Sequence, residues 1–291
     1  MNAVIENAGY SAAISSLGAE LKSLKDATTG KEFMWQADPA WWKGTAPVLF
    51  PIVGGLKNGK YRYEGVEYEL PQHGFARTSE FRQVEAAGDA VEFQLESNAD
   101  TRLKYPFEFR LRVRFALERC GLAVRYEVTN TGKGPMLFSI GSHPAFNVPI
   151  ESGSLESHYV LFERSEDAER YFFKDGTYIA GKTAEVFDNS RVISLSRSLF
   201  DQGPIIFKGL QSSEFTILCS KGKKSVKLAT DGPPPFLAVW SKSNAPFLCI
   251  EPWEGIPDSS EASGELVDKE GIMSLEAGRT YETGYRIEIS G

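Results

Sequence analysis

The chain is predicted to be an all-β protein built as a large antiparallel sandwich. Period-two alternation dominates its apolar pattern, the alternating segments are short and separated by turn residues, and helical signal is thin. With 291 residues, 42% of them hydrophobic and 24% charged, it can bury a sizeable core, and all-β sandwiches reach this length as one unit. No linker, low-complexity stretch or internal repeat interrupts it, so residues 1–291 are read as a single domain.

Taken in order, the first element is a short helix at Pro39-Ala40-Trp41-Trp42, with Asp38 as N-cap and Pro39 as first helical residue. Strands follow at Tyr61 to Tyr68 and Val91 to Glu96, punctuated by Asn58-Gly59 and Glu64-Gly65. Arg110 to Leu117 and Leu122 to Thr129 alternate strictly on either side of Glu118-Arg119-Cys120-Gly121, which makes them an antiparallel hairpin with one wet face. Leu137 to Ile140 is a further strand. The less regular stretch from Ser152 to Arg191 is read as a long excursion between strands. Thr216 to Leu218, Ser225 to Ala229, Phe236 to Trp240, the apolar run Pro246 to Ile250 and Tyr285 to Ile289 complete the pattern.

Composition narrows the function. A net charge of -7 without a long basic run argues against nucleic acid or an anionic membrane surface as partner. The start, Met1 to Asn7, lacks a basic region followed by an apolar one, and no run approaches the roughly 18 apolar residues of a spanning helix; a cytoplasmic protein is expected. Cys120, Cys219 and Cys249 are odd in number and lie in strand-like sequence, which suits buried thiols in a reducing compartment. No Cys or His pair has metal-ligand spacing and no G-x-G-x-x-G follows a strand, so neither metal nor cofactor is expected.

Three motifs carry chemistry. His73 lies in Gln72-His73-Gly74-Phe75-Ala76-Arg77, His143 in Gly141-Ser142-His143-Pro144-Ala145-Phe146-Asn147, and Glu251 in Cys249-Ile250-Glu251-Pro252-Trp253-Glu254-Gly255. Histidine titrates nearest neutrality, so two histidines and a carboxylate in one pocket move protons without a metal. Alone, each histidine is more often structural, bonded to a turn, and Glu251 fits a carboxylate bracing a loop equally well. Glu251 ends an apolar strand beside an indole, where desolvation raises a carboxyl towards useful base strength. Glu254 is its competitor, in a more exposed setting. Phe75, Phe146 and Trp253, with Trp41 and Trp42 further off, suit the apolar face of a pyranose, although aromatics are core residues by default.

These motifs, with Ser16 to Leu24, Trp35 to Pro39, Ala46 to Gly54, Tyr105-Pro106-Phe107, Trp240-Ser241 and Cys249 to Asp258, make the chain resemble the aldose 1-epimerase (mutarotase) family, in particular its LacX-like branch. The matches run in family order from about residue 10 to the last strand. The resemblance implies a β-supersandwich, two large antiparallel sheets packed together, with a sugar cleft on a concave face and cofactor-free exchange of α and β anomers. It implies that His143 is the general acid on the ring oxygen, Glu251 the base on the C1 hydroxyl, and His73 the second histidine around the ring oxygen. Two departures bear on specificity. Gly55 stands where many relatives carry a sugar-binding arginine, with Arg77 or Lys57 as substitutes, and Asp201 is shifted from the expected sugar-binding aspartate.

Arg77, Asp201, Phe146 and Trp253 are accordingly the expected substrate-binding residues. A hexose-6-phosphate 1-epimerase and a non-catalytic sugar-binding or sensing module of the same fold are the alternatives. The expected partner is a small-molecule sugar, with no nucleic acid and no membrane, in a monomer or homodimer.

Overall fold

A computed structural model describes residues 2–174 and 176–291. Among them a nine-stranded antiparallel sheet runs, in spatial order, Thr177–Ser194, His158–Lys174, Glu214–Cys219, Ser225–Thr230, Thr280–Ser290, Gly121–Asn130, Phe109–Glu118, Ala90–Glu96 and Arg82–Ala86. A second sheet orders Ile205–Lys208, Phe236–Trp240, Phe247–Trp253, Gly141–Ser142 and Val48–Leu49, and Ala145–Asn147 also pairs with Phe247–Trp253. Three smaller sheets flank them.

Alternation is the reason the two sheets face each other. Phe109, Leu111, Val113, Phe115 and Leu117 are buried while the arginines between them stay partly exposed. Leu248 and Ile250 of the second sheet join Val113, Val124 and Ile287 of the first in one apolar core. Burying each such side chain contributes about 1.5–3 kcal/mol, and core-facing even positions on Phe247–Trp253 turn its odd positions to the opposite face. Phe247, Cys249, Glu251 and Trp253 are therefore presented together away from the core.

The predicted strands from Tyr61 onward recur with boundaries shifted by a few residues, and Tyr61 to Tyr68 is a hairpin of Lys60–Tyr63 and Val66–Glu69. Its turn residues Glu64 and Gly65 both have positive φ, the geometry of a tight hairpin turn. Three expectations change, and one sheet was not foreseen. Pro39 to Trp42 forms a turn and no helix: Asp38 does accept, its carboxylate from Ala40 N at 2.9 Å and its carbonyl from Trp41 N and Trp42 N at 3.0 Å each, but the chain then turns away. The stretch read as an excursion is a pair of long strands, His158–Lys174 and Thr177–Ser194, whose repeated register shifts erase the period-two signal. At one shift the buried Glu166 turns to the segment before Glu214–Cys219 and accepts from Ser212 N at 2.8 Å. A three-stranded sheet, Asn2–Glu6, Tyr10–Ser15 and Glu20–Asp26, covers the N-terminal region. Cys120 is exposed at a hairpin turn, whereas Cys219 and Cys249 are buried; all three are free thiols.

No helix among the described residues is long and apolar enough to cross a membrane.

Candidate active site

The pairing of Gly141 with Trp253 and of Ala145 with Cys249 leaves His143 opposite Glu251. On the other side of Glu251 lies Ala238, which in turn pairs with Ile206, so one row of the sheet reads His143, Glu251, Ala238, Ile206. His143 Nε2 stands 3.2 Å from Glu251 Oε2. Both side chains are nearly sealed, with relative exposures of 9% for His143 and 1% for Glu251. Apart from the approach of His143 Nε2 to Glu251 Oε2, neither Glu251 Oε2 nor His143 Nδ1 has a hydrogen-bond partner, an unusual state for buried polar atoms.

His73 arrives from a separate loop. Gly74 has φ +69°, and a Cβ there would lie 2.2 Å from Phe50 O, so only glycine lets the loop approach the strand this closely. His73 is itself left-handed, at φ +67°, and strain of this kind, about 1–3 kcal/mol, collects at functional sites. His73 N donates to Gly54 O at 2.8 Å, Gly54 N donates to His73 Nδ1 at 3.0 Å, and His73 O accepts from Phe50 N at 3.3 Å. Because Nδ1 accepts, the neutral ring carries its proton on Nε2. The His73 and His143 rings meet edge to face, centroids 5.8 Å apart. His158, the third histidine, is structural: Nε2 accepts from Ile150 N at 3.2 Å and Nδ1 lies 2.9 Å from Ser154 O.

These groups open on a cavity of about 340 Å³ lined by Trp42, Gly54, Gln72, His73, Arg77, His143, Phe173, Gly176, Pro204, Ile206, Trp240, Glu251, Trp253 and Pro257. Trp42 stacks on His143 at 4.7 Å and 26°, Trp240 meets it edge-on at 5.7 Å, and Trp253 Nε1 donates to Ser142 O at 3.2 Å. The walls are thus aromatic, and the His143–Glu251 pair lies at the floor.

Burial sets the charge state. It pushes His143 down to about 3, with the Arg77 guanidinium acting the same way, and pushes His73 well below the usual histidine range. It raises Glu251 well above the usual carboxyl value. Both shifts favour the uncharged forms, a carboxyl beside a neutral imidazole.

Of the residues expected at the site, His73, Arg77, His143, Glu251 and Trp253 line this cavity. Phe146 and Asp201 do not. Phe146 is fully buried in the main core, because it alternates with Ala145 on its strand and faces inward. Asp201 is exposed in a turn, although Pro204 and Ile206 just beyond it reach the cavity. Phe75 also belongs to the core, packed against Phe50, Tyr105 and Phe109. Glu254 turns to the other side of the sheet and accepts from Thr283 Oγ1 at 3.1 Å; Lys57 Nζ is taken by Ala262 O at 3.1 Å. At Gly55 there is no room for a side chain, since a Cβ would sit 2.6 Å from Gly176 O. The tip of the long hairpin fills the space a side chain at Gly55 would need.

The sequence model of the family described as Aldose 1-epimerase matches residues 1–287. The chain belongs to the aldose 1-epimerase family. It is 32% identical over 299 residues to the plasmid-encoded protein LacX of Lactococcus lactis subsp. lactis, covering 99% of each chain. A galactose mutarotase related enzyme from Lactobacillus acidophilus superposes with a TM-score of 0.95 at 35% identity, over 100% of this chain and 98% of that one. A galactose mutarotase-like protein from Lactobacillus casei gives 0.88 at 31%, over 99% and 100%. The fold of this aldose 1-epimerase family member is thus the galactose mutarotase-like β-sandwich, and the family is one of isomerases.

Trp42, one of the aromatic residues weighed for a sugar site, lines the cavity, and Trp240, Phe173, Pro204 and Ile206 line it without having been expected there. Trp240 and Ile206 were within reach of sequence reasoning, because strands flanking Phe247–Trp253 must present alternate residues to the same face. Phe173 was not, because its strand carries no readable period.

Proposed function

We propose that the protein is an aldose 1-epimerase that interconverts the α and β anomers of a free hexose by opening and closing the pyranose ring. The observation that carries this reading is the His143–Glu251 pair, 3.2 Å apart, at the base of a cavity walled by tryptophans. At about 340 Å³ the cavity lies at the small end of ligand pockets (about 300–1,000 Å³), a size that suits one sugar ring.

The chemistry balances within the pair. Ring opening breaks the C1–O5 bond; Glu251 takes the proton from the C1 hydroxyl as C1 becomes the aldehyde carbon, and His143 gives a proton to O5. Rotation about C1–C2 presents the other carbonyl face, and the same steps in reverse close the ring. The carboxylate and imidazolium required hold the same single proton as the carboxyl and neutral imidazole of the empty site. One transfer across the pair therefore arms it. His73, with its proton on Nε2, is placed to donate towards the ring oxygen, and each such group typically contributes about 10²–10⁴-fold in rate.

Arg77 is half-buried, and it is the one Lys or Arg among the described residues of the cavity wall. A single guanidinium suits sugar hydroxyls; a dianionic phosphate calls for more cations, against a net charge of -7. Anomer exchange measured by NMR or polarimetry over free hexoses and their 6-phosphates tests the reading. Free glucose or galactose is expected to exchange at least as efficiently, by kcat/KM, as its 6-phosphate. A strong, salt-sensitive preference for the phosphate would move the assignment to a hexose-phosphate epimerase, and sugar binding without exchange would make the protein a binding module.

A further inference from the structure

We propose that His143, Cys249 and Glu251 form an inhibitory binding site for a borderline-soft divalent cation, with Zn²⁺ the ion its donors fit. Cys249 and Glu251 are two residues apart on one strand, so both side chains leave the same face, and the neighbouring segment sets His143 opposite them. One ligand atom from each, a ring nitrogen, the thiol sulfur and a carboxylate oxygen, lies within 4.8 Å of the other two. All three residues are buried.

The geometry is close to what a tetrahedral ion needs. Bonds of about 2.0–2.2 Å to nitrogen and oxygen and about 2.3 Å to sulfur place the donors about 3.3–3.7 Å from one another. The His143–Glu251 edge already measures 3.2 Å, so movement of the sulfur by about 1 Å completes one face of the tetrahedron. No hydrogen-bond partner outside this group of three has to be displaced from Glu251 Oε2. The fourth position opens on the cavity, because His143 and Glu251 line it, and a water completes the shell there.

The donor set chooses the ion. One thiolate, one imidazole and one carboxylate suit Zn²⁺, whereas Mg²⁺ and Ca²⁺ require about six or more oxygen ligands. Binding releases two protons, one from the thiol and one held by the His143–Glu251 pair, and leaves neither an acid nor a base free. The cation is thus not a cofactor; it competes with the sugar for the proton-transfer groups. The inhibition half of this proposal rests on the anomerase reading, while the binding half stands without it.

The test titrates the metal-free, full-length protein with Co²⁺ as a spectroscopic probe and then displaces it with Zn²⁺. One equivalent of Co²⁺ is expected to produce a thiolate charge-transfer band and the intense visible bands of a tetrahedral ion, both removed by Zn²⁺. Cys249→Ser is expected to lose the charge-transfer band and to bind Zn²⁺ about 100-fold more weakly. Cys120→Ser and Cys219→Ser are expected to keep both. Cys249 does not line the cavity, so Cys249→Ser keeps basal exchange within about threefold while its inhibition by Zn²⁺ falls in step with binding. Cys249→Ala repeats the comparison should the serine variant misfold. Absence of stoichiometric binding, a band that persists without Cys249, or equal Zn²⁺ inhibition of wild type and Cys249→Ser would each overturn the proposal. Cobalt bound through Cys249 in a protein that exchanges no sugar would leave the site standing and count against the anomerase reading alone.

Discussion

Glu251 and Glu254 sit three positions apart and face opposite sides of their sheet, which gives the catalytic assignment an internal control. Glu254→Gln is expected to leave anomer exchange within about twofold of wild type, because its carboxylate meets Thr283 and no cavity atom. Trp42→Ala removes both the face stacked on His143 and part of the apolar wall, and kcat/KM for a free hexose is expected to fall about tenfold or more in the same exchange assay. Cavity enlargement with unchanged kcat/KM would mean that the sugar does not lie against that wall. At this scale the sequence was most informative for His73, His143 and Glu251, whose glycine- and proline-rich settings announce unusual backbone. It was least informative for aromatic residues: Phe146 and Trp253 look alike as letters, and only the alternation of their strands decides that one ring enters the core and the other the cavity.

Two elements hold the site in place, and each makes a prediction. The His73 loop depends on Gly74; Gly74→Ala adds a left-handed alanine and a Cβ 2.2 Å from Phe50 O, and is expected to cost about 2 kcal/mol or more in thermal or urea unfolding. A neutral result would show that the loop is free to shift away from the strand. The long hairpin of His158–Lys174 and Thr177–Ser194 sends Phe173 and Gly176 into the cavity. Tyr178 near its tip donates to Glu270 at 2.5 Å, and Lys208 donates to the same carboxylate at 2.7 Å while its ammonium lies over the Tyr171 and Tyr178 rings. Glu270→Ala is expected to raise KM several-fold with kcat little changed, since the hairpin contributes wall and no proton. A fall in kcat at constant KM would place the hairpin in the chemistry. Hairpins with strict alternation, such as Phe109–Glu118 with Gly121–Asn130, were legible residue by residue. This one was not, because each bulge resets the phase that sequence reading relies on.

Across the whole molecule the site is a junction: one row of the second sheet supplies His143 and Glu251, a strained loop supplies His73, and the long hairpin of the first sheet closes the side. Sheet class and strand positions follow from local pattern, whereas which turns and tips converge on one cavity is a property of long-range pairing that local pattern does not encode. Exhaustive chelation is expected to leave exchange intact, since the proposed reaction uses only protons held by this chain; loss with EDTA and recovery with a divalent ion would contradict that. The central claim is that His143 and Glu251 open and close a sugar ring between them. Its most direct test is the rate of α/β exchange in free galactose or glucose, measured by NMR magnetisation transfer for wild type and Glu251→Gln under chelation. The account predicts clear acceleration over the uncatalysed rate by wild type and a loss of about two orders of magnitude or more in a variant that keeps its fold and most of its sugar affinity. Exchange by Glu251→Gln at close to the wild-type rate would contradict it.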